Sequence, residues 1–415
     1  SIDRQSNVQC NTWTVILKEY KDGVPEFLKV KEKPKNYNQY EWRNKWIQRY
    51  ASDTYSVYAN PTSWYSIAYY RGMPDSSHPG LIPDLITKTE LNIAQNDVPV
   101  RVNDCISEQA RFAKEFELRN KTLSLLYYLQ NDLGLPWSVD PAEGYDTPYN
   151  RAQIDRIVEV DPSYTVFKPV LYHFPVLPYV RESFRIIGQH VLISSEIDRE
   201  KGPVAFPDAV SLNDYPEDLH GSHKPEDMDA ELDPEAVAKA GVIKDWNAHC
   251  GEFQVPLRSF IPESLDGFLV AEKNLSQSRL VNGATRLQPS TMINGQAAGN
   301  IAALAVKRNC QPRDLPVLLV QWEQVKAKSP LWFKPVYDVQ VQTQLWNYVQ
   351  IALIKGYFKL YPGARFIPQM IVSGDELSAL IEKCGLEGIV SPDAEITRAD
   401  LVKIIIDKEL KAVAL

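Results

Sequence analysis

The sequence predicts an α/β protein of mixed, α+β character, and two neighbouring segments carry this prediction. Gly267–Ala271 is a short apolar run, of the kind that forms an interior strand of a parallel sheet. The segment 282–303 then indicates a loop leading into a helix of small residues, with Ser290 or Thr291 as its capping residue. The last part of the chain is helical in pattern.

Strand and helix signals alternate in the first part of the chain. Thr12–Leu17 is rich in β-branched and aromatic residues and predicts an early strand. Apolar residues recur at helical spacing over Phe112–Leu133, and Gly134 predicts the end of that helix. Arg181–Ile193 predicts a second helix, or a helix that runs into a strand. The dense aromatic residues between positions 37 and 70 indicate either the core of a loop-rich cap or a platform for a planar ligand.

Composition excludes several classes of protein. The 45 basic and 53 acidic residues give a net charge of −8, whereas a nucleic-acid-binding surface would be basic. No apolar run approaches the roughly 20 residues that span a bilayer. The five cysteines are scattered, so neither a zinc site nor a disulfide framework is expected. The start at Ser1, without a visible signal peptide, suggests a processed or truncated product.

An acidic, proline-containing insert over 215–241 predicts a surface loop. His220 and His223 lie near its start, beside Asp218, at a spacing that can hold a metal ion. No third ligand is evident, so we expect solvated or hydrogen-bonded histidines and no metal site.

The small-residue helix suggests a cofactor contact, because bare backbone permits close approach of a flat or bulky group. A helix N-terminus also presents unpaired N–H groups and a partial positive charge to an anion. A dinucleotide site normally begins with G-x-G-x-x-G, and the sequence contains no such motif. The sequence therefore indicates the second half of a cofactor site. One face of the helix carries Gly295, Ala298, Gly299, Ala302 and Ala303.

The middle of the chain resembles the FAD-dependent oxidoreductases that have a two-dinucleotide-binding, glutathione-reductase-type FAD domain. The resemblance rests on blocks in the family's order, at 179–188, 206–210, 215–221, 255–262, 268–274 and 283–303. It implies that FAD is the cofactor and that Ala271 and Glu272 lie beside its phosphate–ribityl arm. It also implies that the N-terminus of the small-residue helix, at Gly295, Gln296, Ala297 and Ala298, meets the pyrimidine edge of the flavin.

Two departures from the family pattern shape the functional prediction. Glu272 and Lys273 stand where many members have Gly-Arg, and the amino-terminal ADP-binding fingerprint is missing. We therefore expect a C-terminal subunit or fragment, completed by an amino-terminal polypeptide of the same protein. Its reaction would be hydride transfer from a small organic substrate to flavin. The candidates for substrate handling are His220 as a proton acceptor and three arginines as carboxylate clamps or structural ion pairs, namely Arg181, Arg185 and Arg286.

The tail resembles a bacterial surface-layer-homology module. A weak repeat relates 366–377 to 390–401, and each copy has a capping-box-like helix start. The resemblance implies a cell-wall polymer as partner and slightly favours the periplasm or cell envelope.

The expected domains are a substrate-binding or cap region over 1–250, the segment completing the FAD domain over 251–328, and a helical domain over 329–415. The alternatives are a non-catalytic envelope or assembly protein on an oxidoreductase scaffold and, from the aromatic residues alone, a carbohydrate-binding protein.

Overall fold

The computed structural model describes residues 7–50, 72–73, 88–182, 184–199, 201–221, 233 and 251–414. They belong to two compact units, one formed by residues 1–181 with 220–222 and the other by 182–219 with 223–415. Most of the aromatic-rich segment, and most of the acidic insert with His223, lie outside the described residues. The division into functional regions 1–250, 251–328 and 329–415 stays a prediction.

The first unit combines short antiparallel strands with one long helix. Its strands are β1 Asn7–Asn11, β2 Ile16–Glu19, β3 Gly72–Met73, β4 Lys88–Glu90, β5 Val98–Arg101 and β6 Trp137–Val139. Its helices are α1 Gln39–Tyr50, α2 Val102–Cys105, α3 Glu108–Tyr127, α4 Pro148–Val160 and α5 Lys168–Leu171. The strands form one sheet in the order β3-β4-β2-β6 and a separate pair of β1 with β5.

The long helix of this unit was predictable from its periodicity. Helix α3 covers most of the predicted span, and one π-helical turn over Tyr128–Asp132 continues it. Gly134 ends the element at a φ of 65°, as a C-terminal glycine should. The predicted strand Thr12–Leu17 is only partly confirmed: β2 begins at Ile16, whereas Thr12 makes an isolated bridge to Tyr179.

The second unit packs helices on one antiparallel strand pair and continues into a helical tail that contains a second, shorter pair. Its strands are β7 Ala209–Asp214, β8 Glu252–Pro256, β9 Ile371–Val372 and β10 Ile396–Thr397. Its helices are α6 Ser194–Ile197, α7 Arg279–Thr285, α8 Gln288–Arg308, α9 Val317–Lys326, α10 Gln344–Ile354, α11 Gly374–Cys384 and α12 Arg398–Ala414. Within the described part of the chain, no helix combines the length and apolar character needed to cross a membrane.

Two elements predicted in this unit are wrong. Residues 184–193 are not helical, because their backbone bonds go to distant segments: Gln189 N–H donates to Ile261 O, and Leu192 N–H donates to Ser276 O. The run 267–271 is irregular rather than a strand. It starts at a φ of +69° at Gly267, and its backbone bond from Val270 N–H to Phe260 O joins no ladder.

The small-residue helix exists, but it begins earlier than predicted. Helix α8 starts at Gln288 with Leu287 as its N-cap, and no side chain caps it, so the predicted cap at Ser290 or Thr291 is wrong. A proline at one of the first two helical positions explains the early start, because it needs no N–H partner there and its fixed φ suits the helix. Gly295 therefore lies two turns inside α8.

The tail is helical, as its pattern predicts. Helices α11 and α12 begin 24 residues apart, and the short strands that precede them, β9 and β10, pair with each other. In the second copy Thr397 caps the helix, because Asp400 N–H donates to Thr397 Oγ1 at 3.1 Å, and the Thr397 hydroxyl donates to Asp400 Oδ2 at 2.7 Å. In the first copy, Ser373 makes no side-chain capping bond.

Two glycine substitutions test this packing with opposite signs. A Cβ on Gly188 would lie 2.7 Å from Ser276 Cβ and 2.9 Å from Ile261 O, so Gly188→Ala should lower the free energy of unfolding by about 1–3 kcal/mol. A Cβ on Gly299, inside α8, would meet no atom within 4 Å. We therefore expect Gly299→Ala to raise the free energy of unfolding by about 0.5–1 kcal/mol. Urea unfolding measures the free energy of unfolding of both variants. An equal change in the two variants would contradict the described packing.

Candidate functional site

The end of strand β1 holds His220 in place through the backbone. Cys10 N–H donates to His220 O at 3.0 Å, and His220 N–H donates to Gln9 Oε1 at 3.2 Å. Gly221 follows at a φ of +110°, where a Cβ would lie 2.9 Å from Cys10 Sγ. Only glycine suits both the conformation and the space. The backbone that carries the His220 ring is therefore held by Gln9 and Cys10.

Asp97 binds the His220 ring. It lies between the 3-10 turn Ala94–Asn96 and strand β5, and its side chain is 8% exposed. Asp97 Oδ2 lies 2.5 Å from His220 Nδ1, and Asp97 Oδ1 accepts the Thr12 hydroxyl. A carboxylate at Nδ1 favours the neutral tautomer that carries its proton there, which leaves Nε2 as the basic nitrogen. The pair has the arrangement of a general base with its orienting carboxylate.

Arg181 supports Asp97 from the buried side. Its guanidinium is 2% exposed and lies 3.2 Å from Asp97 Oδ1. The same guanidinium donates to Cys10 O at 2.8 Å and to Thr12 Oγ1 at 2.9 Å. A buried carboxylate needs a counter-charge, and Arg181 supplies it. For Arg181 the sequence allowed either a carboxylate clamp for substrate or a structural ion pair, and these bonds are those of an ion pair. Arg181 and His220 therefore contact the same carboxylate, that of Asp97.

The other two candidate arginines lie in the second unit, in ion pairs of their own. Arg185 Nη1 binds Glu182 Oε1. Arg286 donates to Asp218 O at 3.0 Å and to Asp218 Oδ2 at 2.9 Å. The backbone of Asp218 also approaches Gly283, where a Cβ would lie 2.9 Å from Asp218 N. Asp218, which the sequence placed beside His220 as a conceivable metal ligand, therefore serves as the partner of Arg286.

The predicted cofactor residues have different environments. Ala297 and Ala298 are buried in a hydrophobic cluster, 0% and 5% exposed, so their side chains face the core. Gln296 is exposed, and its amide donates to Gln324 and Ser329. The free N–H groups of α8 belong to its first turn, so Gly295 lies inside the helix and not at its N-terminus, whereas its contact with the flavin stays a prediction.

Two predicted residues lie on the irregular segment that precedes α7. Ala271 is exposed, and Glu272 pairs with Lys273 at 3.3 Å. This segment supplies no strand end, so any contact to a phosphate–ribityl arm would come from loop backbone.

The surroundings of Gly295 can accommodate a flat group. A Cβ on Gly295 would meet no atom within 4 Å, so the surface of α8 is open there. The adjacent Asn294 is fully buried, and its Oδ1 accepts the Ser211 hydroxyl at 2.6 Å. Its Nδ2 has no hydrogen-bond partner among the described residues. The open face at Gly295 leaves room for the edge of a flat cofactor, and in this respect the residues are compatible with FAD.

Sequence reasoning missed Asp97 and Thr12. Asp97 is 123 residues from His220 in the chain, and no local motif surrounds it. The alternation of β5 does not reveal it either, because Asp97 is in register with the exposed Pro99 and Arg101 and not with the buried valines.

Comparison with known proteins gives one protein-family match for this chain. A family model described as FAD dependent oxidoreductase matches residues 3–324, which is most of the 415-residue chain. Searches of curated proteins and of solved structures gave no significant match.

A double-mutant cycle tests the buried ion pair. Asp97→Asn should lower the free energy of unfolding by about 3 kcal/mol, because it leaves the Arg181 charge buried without its carboxylate. Combining it with Arg181→Met should cost clearly less than the two single losses together. The control is Arg151→Met, which breaks an exposed pair with Asp146 and should cost less than about 1 kcal/mol. Additive losses at Asp97 and Arg181 would contradict the pairing.

Proposed function

The chain belongs to the FAD-dependent oxidoreductase family, and from this we propose that His220 is the proton acceptor in hydride transfer from a small organic substrate to flavin. The observation that carries the proposal is the 2.5 Å contact between Asp97 Oδ2 and His220 Nδ1. An oxidoreductase of this kind needs a base wherever the substrate loses a proton together with a hydride.

FAD, when bound, supplies the hydride acceptor of the reaction. The residues of this chain then have to bind the substrate, remove one proton and hold it. We assign the removal to His220 Nε2, which would take the proton from an O–H or N–H group beside the C–H bond that is oxidised. The resulting imidazolium is stabilised by Asp97, and Arg181 is a positioning residue that keeps the carboxylate in place. The substrate class is therefore an alcohol or an amine.

For the cofactor we propose the open face of α8 at Gly295, together with Gln296, as the contact to the flavin. The loop at Ala271 and Glu272 is the proposed contact to the phosphate–ribityl arm. The Gly-rich turn that normally binds the pyrophosphate is not in this sequence. An amino-terminal polypeptide of the same protein is the proposed source of that turn, so the chain acts as the carboxy-terminal part of the enzyme.

The tail supports a second, separate role. Two strand–helix copies that begin 24 residues apart suit a module of the surface-layer-homology kind. We propose that residues 329–415 attach the enzyme to a cell-wall polymer in the bacterial envelope. Binding of the full chain to purified cell-wall material, with loss of that binding on deletion of 329–415, is the outcome expected.

Replacing His220 tests the proposed base. In the protein assembled with its amino-terminal polypeptide, substrates are sought among alcohols and amines by loss of the visible absorption of the flavin. His220→Gln should lower kcat by about a hundredfold or more and remove the acidic limb of the pH–rate profile, because the proton acceptor is gone. Flavin content should be unchanged.

His190→Gln is the matched control for this test. His190 also contacts a carboxylate, Glu196 Oε2, at 3.0 Å, but it belongs to the packing before α6. Its replacement should leave kcat and the pH profile close to those of the parent protein. A His220→Gln protein with the kcat of the parent would refute the assignment.

A bulky residue on α8 tests the proposed flavin contact. Gly295→Phe places a ring where the described structure has open space, so the fold should tolerate it while a cofactor at that face is displaced. We expect loss of bound flavin, measured by the visible spectrum of the purified assembly. Val306→Phe, at a position of the same helix that is 82% exposed, should retain flavin. Equal flavin retention by both variants would reject the placement at Gly295.

A further inference from the structure

A cleft in the second unit, separate from every residue assigned above, has the lining of a binding site. Its volume is about 490 Å³, which lies in the range of sites for small molecules. Leu257 and Ile261, 6% and 2% exposed, form its buried apolar wall. Val317, the first residue of helix α9, lines it as well. The interior of the cleft therefore suits an apolar body.

Three cationic side chains surround this apolar wall, and the first is rigidly held. Arg313 donates to the backbone oxygens of Pro262, Glu263 and Leu265 at 3.0–3.1 Å. Its Nε lies 2.8 Å from Asp266. A guanidinium fixed in this way cannot turn away from the cleft, so its charge there is permanent.

The second cation keeps part of its donor capacity for a ligand. Arg258 binds Asp208 through Nε at 2.8 Å and through Nη2 at 3.3 Å. Its Nη1 has no hydrogen-bond partner in the described structure, and its side chain is 46% exposed. Asp208 therefore orients the guanidinium, while the remaining N–H groups stay available to an anion.

The third cation comes from outside the part of the chain that matches the family. Lys355 directly follows helix α10, whereas the family match ends at residue 324. Its ammonium lies 2.9 Å from Glu409, a residue that does not line the cleft. The cleft is thus built jointly by the oxidoreductase part of the second unit and by its helical tail.

The lining of the cleft contains more cations than carboxylates. Each cation is paired with one acid, Arg258 with Asp208, Arg313 with Asp266 and Lys355 with Glu409, but only Asp208 belongs to the lining. No side chain caps the N-terminus of α9, where Val317 meets the cleft, so the positive end of this helix also faces the cleft. An anion can therefore bind through the N–H groups that these ion pairs leave unused.

We propose that this cleft binds a small organic phosphate monoester whose apolar body lies against Leu257, Ile261 and Val317. A phosphate monoester carries about −1.5 to −2 charges near neutral pH, so its oxygens accept hydrogen bonds from more than one cationic donor. Arg258 Nη1 and Lys355 donate to the phosphate oxygens, and the guanidinium of Arg313, held by Asp266, lies at the same wall. This site is independent of the proposed reaction at His220.

Calorimetric titration of the full-length chain tests the proposal with three probes. Phenyl phosphate has both the charge and the apolar body, inorganic phosphate has the charge alone, and benzyl alcohol has the body alone. Phenyl phosphate should bind about tenfold or more tightly than either of the others, because it uses both parts of the lining. Equal affinity of phenyl phosphate and inorganic phosphate would overturn the proposal, since it would show only general attraction of ions.

Two variants locate the binding in the cleft. Val317→Glu places a carboxylate on the apolar wall, yet an acidic residue in the first turn of a helix is favourable for folding, so binding should be lost in a folded protein. Lys355→Gln should weaken phenyl phosphate about tenfold by removing one donor. Lys403→Gln, which removes an exposed cation of α12, should change nothing. Unchanged affinity in the Val317 and Lys355 variants would refute the site.

Discussion

The buried carboxylate of Asp97 is the constraint on which the candidate site depends. It accepts bonds from Thr12, Arg181 and His220, three residues from distant parts of the sequence. A carboxylate that is 8% exposed must be paired, because removal from water costs several kcal/mol for an isolated charge. The same pairing that makes the carboxylate tolerable also sets the tautomer of the histidine. The stability of this site and the proposed proton transfer therefore depend on one group.

The sequence predicts well those helices whose conformation is determined by interactions within the segment itself. Helix α3 and the paired helices α11 and α12 follow from periodicity and capping residues that lie within each segment. The segments 184–193 and 267–271 could not be predicted in this way, because their conformation depends on backbone partners far along the chain. Gly188, for example, is needed for contact with Ser276 rather than for any local turn. His220 was found as a candidate, but its partner Asp97 was not, because only the fold brings the two together.

The shifted start of α8 changes how a cofactor can use this helix. A site at its N-terminus would rely on free N–H groups and the helix dipole, whereas Gly295 lies where the backbone is already hydrogen-bonded. What Gly295 offers is space and an apolar surface beside the buried Asn294 amide. In the proposed flavin site the chain would contribute shape, and the anion-binding turn is proposed to come from another segment. In the cleft lined by Arg258, Arg313 and Lys355, by contrast, cationic side chains border an apolar wall.

The protonation of the His220 ring shows whether Asp97 sets the tautomer that proton transfer at Nε2 requires. Nitrogen NMR of the histidine-labelled protein, with His220 assigned by its Gln variant, separates a protonated ring nitrogen from an unprotonated one. At a pH where the ring is neutral, the Asp97 contact predicts that Nδ1 carries the proton and that Nε2 is unprotonated. A neutral His220 with its proton on Nε2 would refute its assignment as the proton acceptor, because Nδ1 could then not donate to Asp97 and Nε2 could not take a proton from substrate.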